Sequence, residues 1–205
     1  MSTESSVLIL GIGNVLWADE GFGVRAVERL HRQYAFPDNV TVMDGGTQGI
    51  FLLPHVQNSS VLIILDAVDY GLPPGTLKLV EDDNVPAFMG AKKVSLHQAG
   101  FQEVLITAKM LGWTPQRILL VGLQPEMIED YGGSLRPLVV SRIDDAIAAV
   151  LAELQRLNVP VHRRVIAADE LGPSALERDL YEEGRPSELT ACRTGDERFL
   201  SDWNA

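Results

Sequence analysis

The chain predicts one α/β domain: a twisted, mainly parallel sheet of about five strands with helices on both faces. Three observations predict it. Short apolar runs at 7–13, 61–65 and 117–122 read as strands buried on both faces. Stretches of helical period lie between them, as a parallel sheet requires of its crossovers. Turns rich in glycine and acid come after the strands: Gly11-Ile12-Gly13-Asn14, Asp44-Gly45-Gly46-Thr47 and Asp66-Ala67-Val68-Asp69.

In chain order, residues 7–13 form the first buried strand, and Gly11 and Gly13 permit a sharp turn and close backbone approach. From about 21 to 34, Val24, Val27 and Leu30 recur at helical spacing among Arg25, Glu28, Arg29 and Arg32. Pro37, Asp38 and Asn39 break that helix. A short β-branched strand at 40–43 leads into Asp44, and 50–56 reads as a short helix interrupted near Pro54. Strand 61–65 ends at Asp66, and 76–80 is an edge strand after a turn-rich loop. Residues 81–93 read as a surface loop with a helical turn. Ser95 is a candidate N-cap for a helix from 97 to 111, which Gly112 stops. After strand 117–122, one long helix is expected from 137 to 157. The α/β domain spans 1–160. Residues 161–205 read as an acidic C-terminal tail, flexible or partly helical near 175–183, because apolar periodicity fades there.

Composition narrows the function classes. A net charge of -11 over 205 residues argues against nucleic acid and against an anionic membrane surface. No apolar run approaches the roughly 18 residues of a membrane span. The one cysteine, Cys192, has no local histidine to activate it and suits a reducing cytoplasm, the expected location.

The candidate chemistry lies at the strand ends. Open α/β sheets bind ligands outside the carboxyl ends of their strands. Glu20, Asp66 and His97 each come after a strand or open a helix, at positions that can meet along this edge. Two carboxylates and an imidazole suit zinc, nickel or iron, and three ligands leave positions open for water or substrate. Each residue also has a plain reading. Asp19, beside Glu20, reads as the N-cap of the helix starting at Gly21; Asp66 can cap local amides, with Asp69 as its competitor; His97 can be an exposed polar residue. Asp44 can orient a ligand, act as a base, or simply start an Asx turn. A dinucleotide site is the rival reading. Leu16 stands where the third glycine of its fingerprint belongs, which removes the close helix–strand packing the motif needs.

These blocks, with Asp19-Glu20-Gly21-Phe22-Gly23, Pro74-Gly75, Ser95-Leu96-His97-Gln98-Ala99-Gly100 and Gly122-Leu123-Gln124-Pro125, fall in one family's order over 7–157. The chain resembles the nickel–iron hydrogenase maturation endopeptidases of the HupD, HyaD, HybD and HoxM type. The resemblance implies a protease that removes a C-terminal extension from the hydrogenase large-subunit precursor after nickel insertion. It carries the family's metal contacts onto Glu20, Asp66 and His97, and a less settled acid onto Asp44. The metal is then the precursor's nickel, or a resident ion such as zinc. Water attack on the peptide carbonyl is the implied chemistry, with Glu20, Asp66 or Asp44 as base. A nickel-sensing or chaperone module that only docks on the precursor remains the non-catalytic alternative.

Overall fold

The computed structural model describes residues 5–86, 96–169, 171–172 and 176–184, and of residues 96–100 the backbone alone. Ser95, Cys192 and most of the expected tail lie outside the described residues. Five strands form the main sheet: β1 (Val7–Ile12), β3 (Val40–Gly46), β4 (Val61–Ala67), β5 (Leu77–Glu81) and β6 (Arg117–Leu123), in the order β3-β1-β4-β6-β5. All pairings are parallel except that of β5, the edge strand, which runs antiparallel to β6.

Every residue of β1 and β4 is buried, which is why both read as continuous apolar runs and not as alternation. Side chains still alternate between faces. Ile63 and Leu65 face one layer with α1 (Phe22–Gln33) and α5 (Ile143–Arg156). Leu62 and Ile64 face the other, with α2 (Leu53–Gln57) and α3 (Leu96–Met110). The single helix expected over 137–157 is two: α4 (Pro137–Ser141) and α5. They part at Arg142, whose N–H donates to Val139 O and Val140 O while its ψ of -8° leaves the helical range.

The direction of α3 decides which edge of the sheet its first turn reaches. Its last turn connects to the start of β6, where the Gln116 N–H donates to Ser60 O just ahead of β4. Fifteen helical residues climb about 22 Å, the height of a seven-residue strand. The first turn of α3 therefore stands at the carboxyl edge of the sheet. At the opposite edge Arg117 binds Glu81, Asp82 and Glu153, each at 2.8 Å, and fastens β5 and α5 to β6.

Part of the C-terminal segment is docked. Its β7 (His162–Arg163) pairs antiparallel with β2 (Tyr34–Ala35). Arg164 then donates from Nε to Tyr34 O, satisfying backbone at the end of α1. Farther on, Arg25 of α1 donates to Leu176 O at 2.6 Å, just before α6 (Arg178–Gly184). Among the described residues no helix is long and apolar enough to cross a membrane.

Candidate active site

The Gly-x-Gly turn holds backbone against backbone. Gly13 has φ +139°, and a Cβ there would lie 1.8 Å from Glu20 O. The turn thus leaves room for the 3₁₀ turn Ala18–Gly21, which carries the acids and packs against β4. The close helix–strand packing that Leu16 removes is supplied by another pair. A Cβ at Gly11 would meet Gly23 O at 2.4 Å, and one at Gly23 would meet Leu65 O at 2.1 Å. These contacts press the first turn of α1 onto the ends of β1 and β4.

Asp19 is not the N-cap expected of it; α1 has no side-chain cap. Its fully buried carboxylate instead accepts three backbone N–H groups: Glu126 at 2.9 Å and Met127 at 2.8 Å on Oδ2, and Arg136 at 2.7 Å on Oδ1. Asp19 therefore ties the β1–α1 loop to the loop after β6. Trp17 and Tyr131 reinforce the tie, with ring centroids 5.3 Å apart. Nothing in the local sequence distinguishes a cap from this long-range anchor.

Glu20 sits in the same turn and is 9 % exposed. Asp66, at the carboxyl end of β4, is fully buried. By alternation it shares the face of Leu62 and Ile64, under α3, whose first turn contains His97. The topology thus brings the Glu20 turn, Asp66 and the His97 backbone to one edge. The His97 side chain lies outside the described residues. Among the described residues no three His, Cys, Asp or Glu side chains form a cluster able to hold a metal.

Asp44 faces the other way. Its neighbours in β3 divide between the layers, Val42 with α1 and Met43 with α2 and α3, so Asp44 projects toward α1. Its Oδ1 accepts the Gly46 N–H at 2.8 Å, an Asx turn. The strongest influence on its carboxyl is burial, which pushes its pKa up; the Gly46 N–H and Arg25 pull it back. On that face a cavity of about 310 Å³ lies between α1 and the docked C-terminal segment, lined by Arg25, Glu28 and Glu177 among others. It is on the side away from Asp66.

The loop after β4 is held by a residue the sequence did not single out as chemical. Gln124 Oε1 accepts the N–H groups of Tyr70 at 2.7 Å and Leu72 at 3.2 Å, and its Nε2 donates to Asp69 Oδ1 at 3.0 Å. Asp69 is thereby a loop brace. Burial, and secondarily the Asp66 charge, push the Tyr70 phenol well above its usual range, so it keeps its proton.

A family model described as HycI, hydrogenase maturation protease, matches residues 24–153. The HupD hydrogenase expression/formation protein of Rhodobacter capsulatus is 56 % identical over 194 residues, 95 % of this chain and 92 % of that protein. The Hydrogenase 2 maturation protease of Escherichia coli K12 is 42 % identical over 75 % of this chain and 93 % of its own. The solved hydrogenase maturating endopeptidase HybD of E. coli superposes with a TM-score of 0.73 at 40 % identity, over 77 % of this chain and 97 % of that one. The chain belongs to the hydrogenase maturation protease family.

Membership makes the protein a peptidase and replaces the dinucleotide reading of the Gly-x-Gly turn. For this maturation protease the placement of Asp44 gives a direct expectation. With cleavage on the Asp66 face, as proposed below, Asp44→Asn should cleave within about threefold of wild type, because Asp44 shares the α1 face with Val42. A raised folded-state pKa means that ionisation opposes folding. The stability it contributes is complete below the ordinary value of 3.8 and is lost as pH rises through the raised value. Thermal melts at pH 7 should therefore show Asp44→Asn at least as stable as wild type, with the gap closing toward pH 4. Asparagine keeps an acceptor for the Gly46 N–H.

Proposed function

We propose that this protease removes the C-terminal extension of a nickel–iron hydrogenase large-subunit precursor after nickel insertion, and that Glu20, Asp66 and His97 contact the metal. The observation that carries the reading is Asp66. It is a fully buried carboxylate at a strand end, on the face covered by α3, with the Glu20 turn packed on the same strand. Burying a carboxylate is costly, and proteins tolerate that cost chiefly where a partner or a function requires the charge.

The donor types suit a divalent ion, and three ligands would leave room for a substrate oxygen. The precursor's own nickel is the favoured metal, since the set offers one imidazole and no thiolate; a resident zinc is the alternative. A bound ion would polarise the scissile carbonyl. The chain's own part is to fix the geometry and to take a proton from the attacking water, with Glu20 or Asp66 as base. The turn carrying Glu20 is held through Asp19, and Gln124 holds the loop after Asp66.

Incubating nickel-loaded precursor with the protein should give a gel shift and an intact mass reduced by one C-terminal peptide. A complex that forms without cleavage would favour the chaperone reading. Metal analysis of the same dialysed protein should find less than about a tenth of an equivalent of any divalent ion. A stoichiometric ion would assign the metal to the protease instead of the precursor.

A further inference from the structure

The loop after β6 presents apolar side chains to solvent beside the proposed site. Met127 is 40 % exposed and Tyr131 54 %. Trp17, 37 % exposed in the loop after β1, packs its ring against Tyr131. Single exposed apolar residues are ordinary, but large ones side by side mark an interaction surface. The three are joined through backbone as well. Trp17 and Tyr131 form an antiparallel bridge. The Gly132 N–H donates to Leu16 O at 2.7 Å, and the Asp19 N–H donates to Met127 O at 3.0 Å. The buried Asp19 carboxylate holds the same loop from the protein interior, and Glu20 is the next residue in the chain.

Such a platform is set before anything binds. Side chains on a backbone already fixed lose less freedom on association, and large aromatics most often carry interface energy. The surroundings set the chemistry of the occupant. Glu126 and Glu129 stand exposed in the same loop, and the loop's one base, Arg136, is engaged by Asp130 at 2.9 Å. Within a chain of net charge -11, this surface disfavours an acidic segment and suits an apolar one with neutral or basic neighbours. The substrate of a peptidase has to lie along the catalytic edge, and the platform is continuous with that edge through the turn carrying Asp19 and Glu20.

We propose that Trp17, Met127 and Tyr131 dock the precursor segment adjoining the cleaved bond, an apolar side chain of that segment seating against the Trp17–Tyr131 pair. The proposal rests on the reading of Glu20 and Asp66 as the site of cleavage. The platform acts in binding and not in the chemical step, so its loss falls on KM.

The test is steady-state cleavage of nickel-loaded precursor by wild type, Tyr131→Ser, Met127→Ser, Tyr131→Phe and Val165→Ser, with a thermal melt and a size-exclusion profile of each. Val165 is a fully exposed apolar residue just after β7, beside the far end of α1. Tyr131→Ser and Met127→Ser should each raise KM by about tenfold, with kcat within about twofold of wild type. Their melting temperatures should stay within about 2 °C of wild type, as for other surface substitutions. Tyr131→Phe keeps the ring, and it and Val165→Ser should hold KM within about twofold. A KM near the wild-type value in both serine variants overturns the proposal. So does a loss carried by kcat, one that tracks a falling melting temperature, or an equal loss in Val165→Ser. A change of oligomeric state in the serine variants also overturns it and assigns the platform to a second copy of this chain. Wild type separates the two levels: if it cleaves and the serine variants match it, only the docking role fails, and if it leaves the precursor intact the cleavage reading fails and the docking role with it.

Discussion

Asp66→Asn should lower precursor cleavage by on the order of 10²- to 10⁴-fold, the range expected when a group acting directly on the reaction is removed. The fold should survive. Asparagine has nearly the shape of aspartate, so the β4 end keeps its packing, and the substitution removes a charge whose burial opposes folding. Circular dichroism and a melting temperature within a few degrees of wild type would establish that the loss is chemical. His97→Ala should behave alike if the first turn of α3 supplies the imidazole. Cleavage at the wild-type rate by Asp66→Asn, at equal dose and time, would remove Asp66 from the reaction.

A feature is legible in the sequence when the forces behind it act locally. Strands β1, β4 and β6 stood out because a sheet covered on both faces needs unbroken apolar runs. The edge position of β5 was legible from its weaker pattern. Asp66 could be singled out because a charge directly after a buried strand is unusual. Other features depend on contacts between distant residues. The break at Arg142 interrupts a stretch whose apolar spacing continues on both sides, so periodicity did not reveal it. The pairing of β2 with β7 joins two dipeptides more than a hundred residues apart. For Asp44 the residue type suited several roles, and only the alternation of β3 in the folded sheet shows that it faces α1.

Asp19→Ala should destabilise the protein by about 4 kcal/mol, well beyond the roughly 1 kcal/mol of a lost N-cap. The difference lies in what the carboxylate holds. It accepts N–H groups of Glu126, Met127 and Arg136, all more than a hundred residues away, from a position with no exposure to water. Truncation leaves these donors facing a cavity, and a buried group deprived of its partner costs about 1–3 kcal/mol. For a chain of this size that corresponds to a fall in melting temperature of about 10 °C. A loss near 1 kcal/mol would mean that water or local shifts replace the anchor. Glu20 comes directly after Asp19 and shares its 3₁₀ turn, so loosening the anchor also loosens Glu20. Assayed well below its melting temperature, folded Asp19→Ala should therefore cleave more slowly than wild type, because the turn that presents Glu20 has lost its tie to the loop after β6.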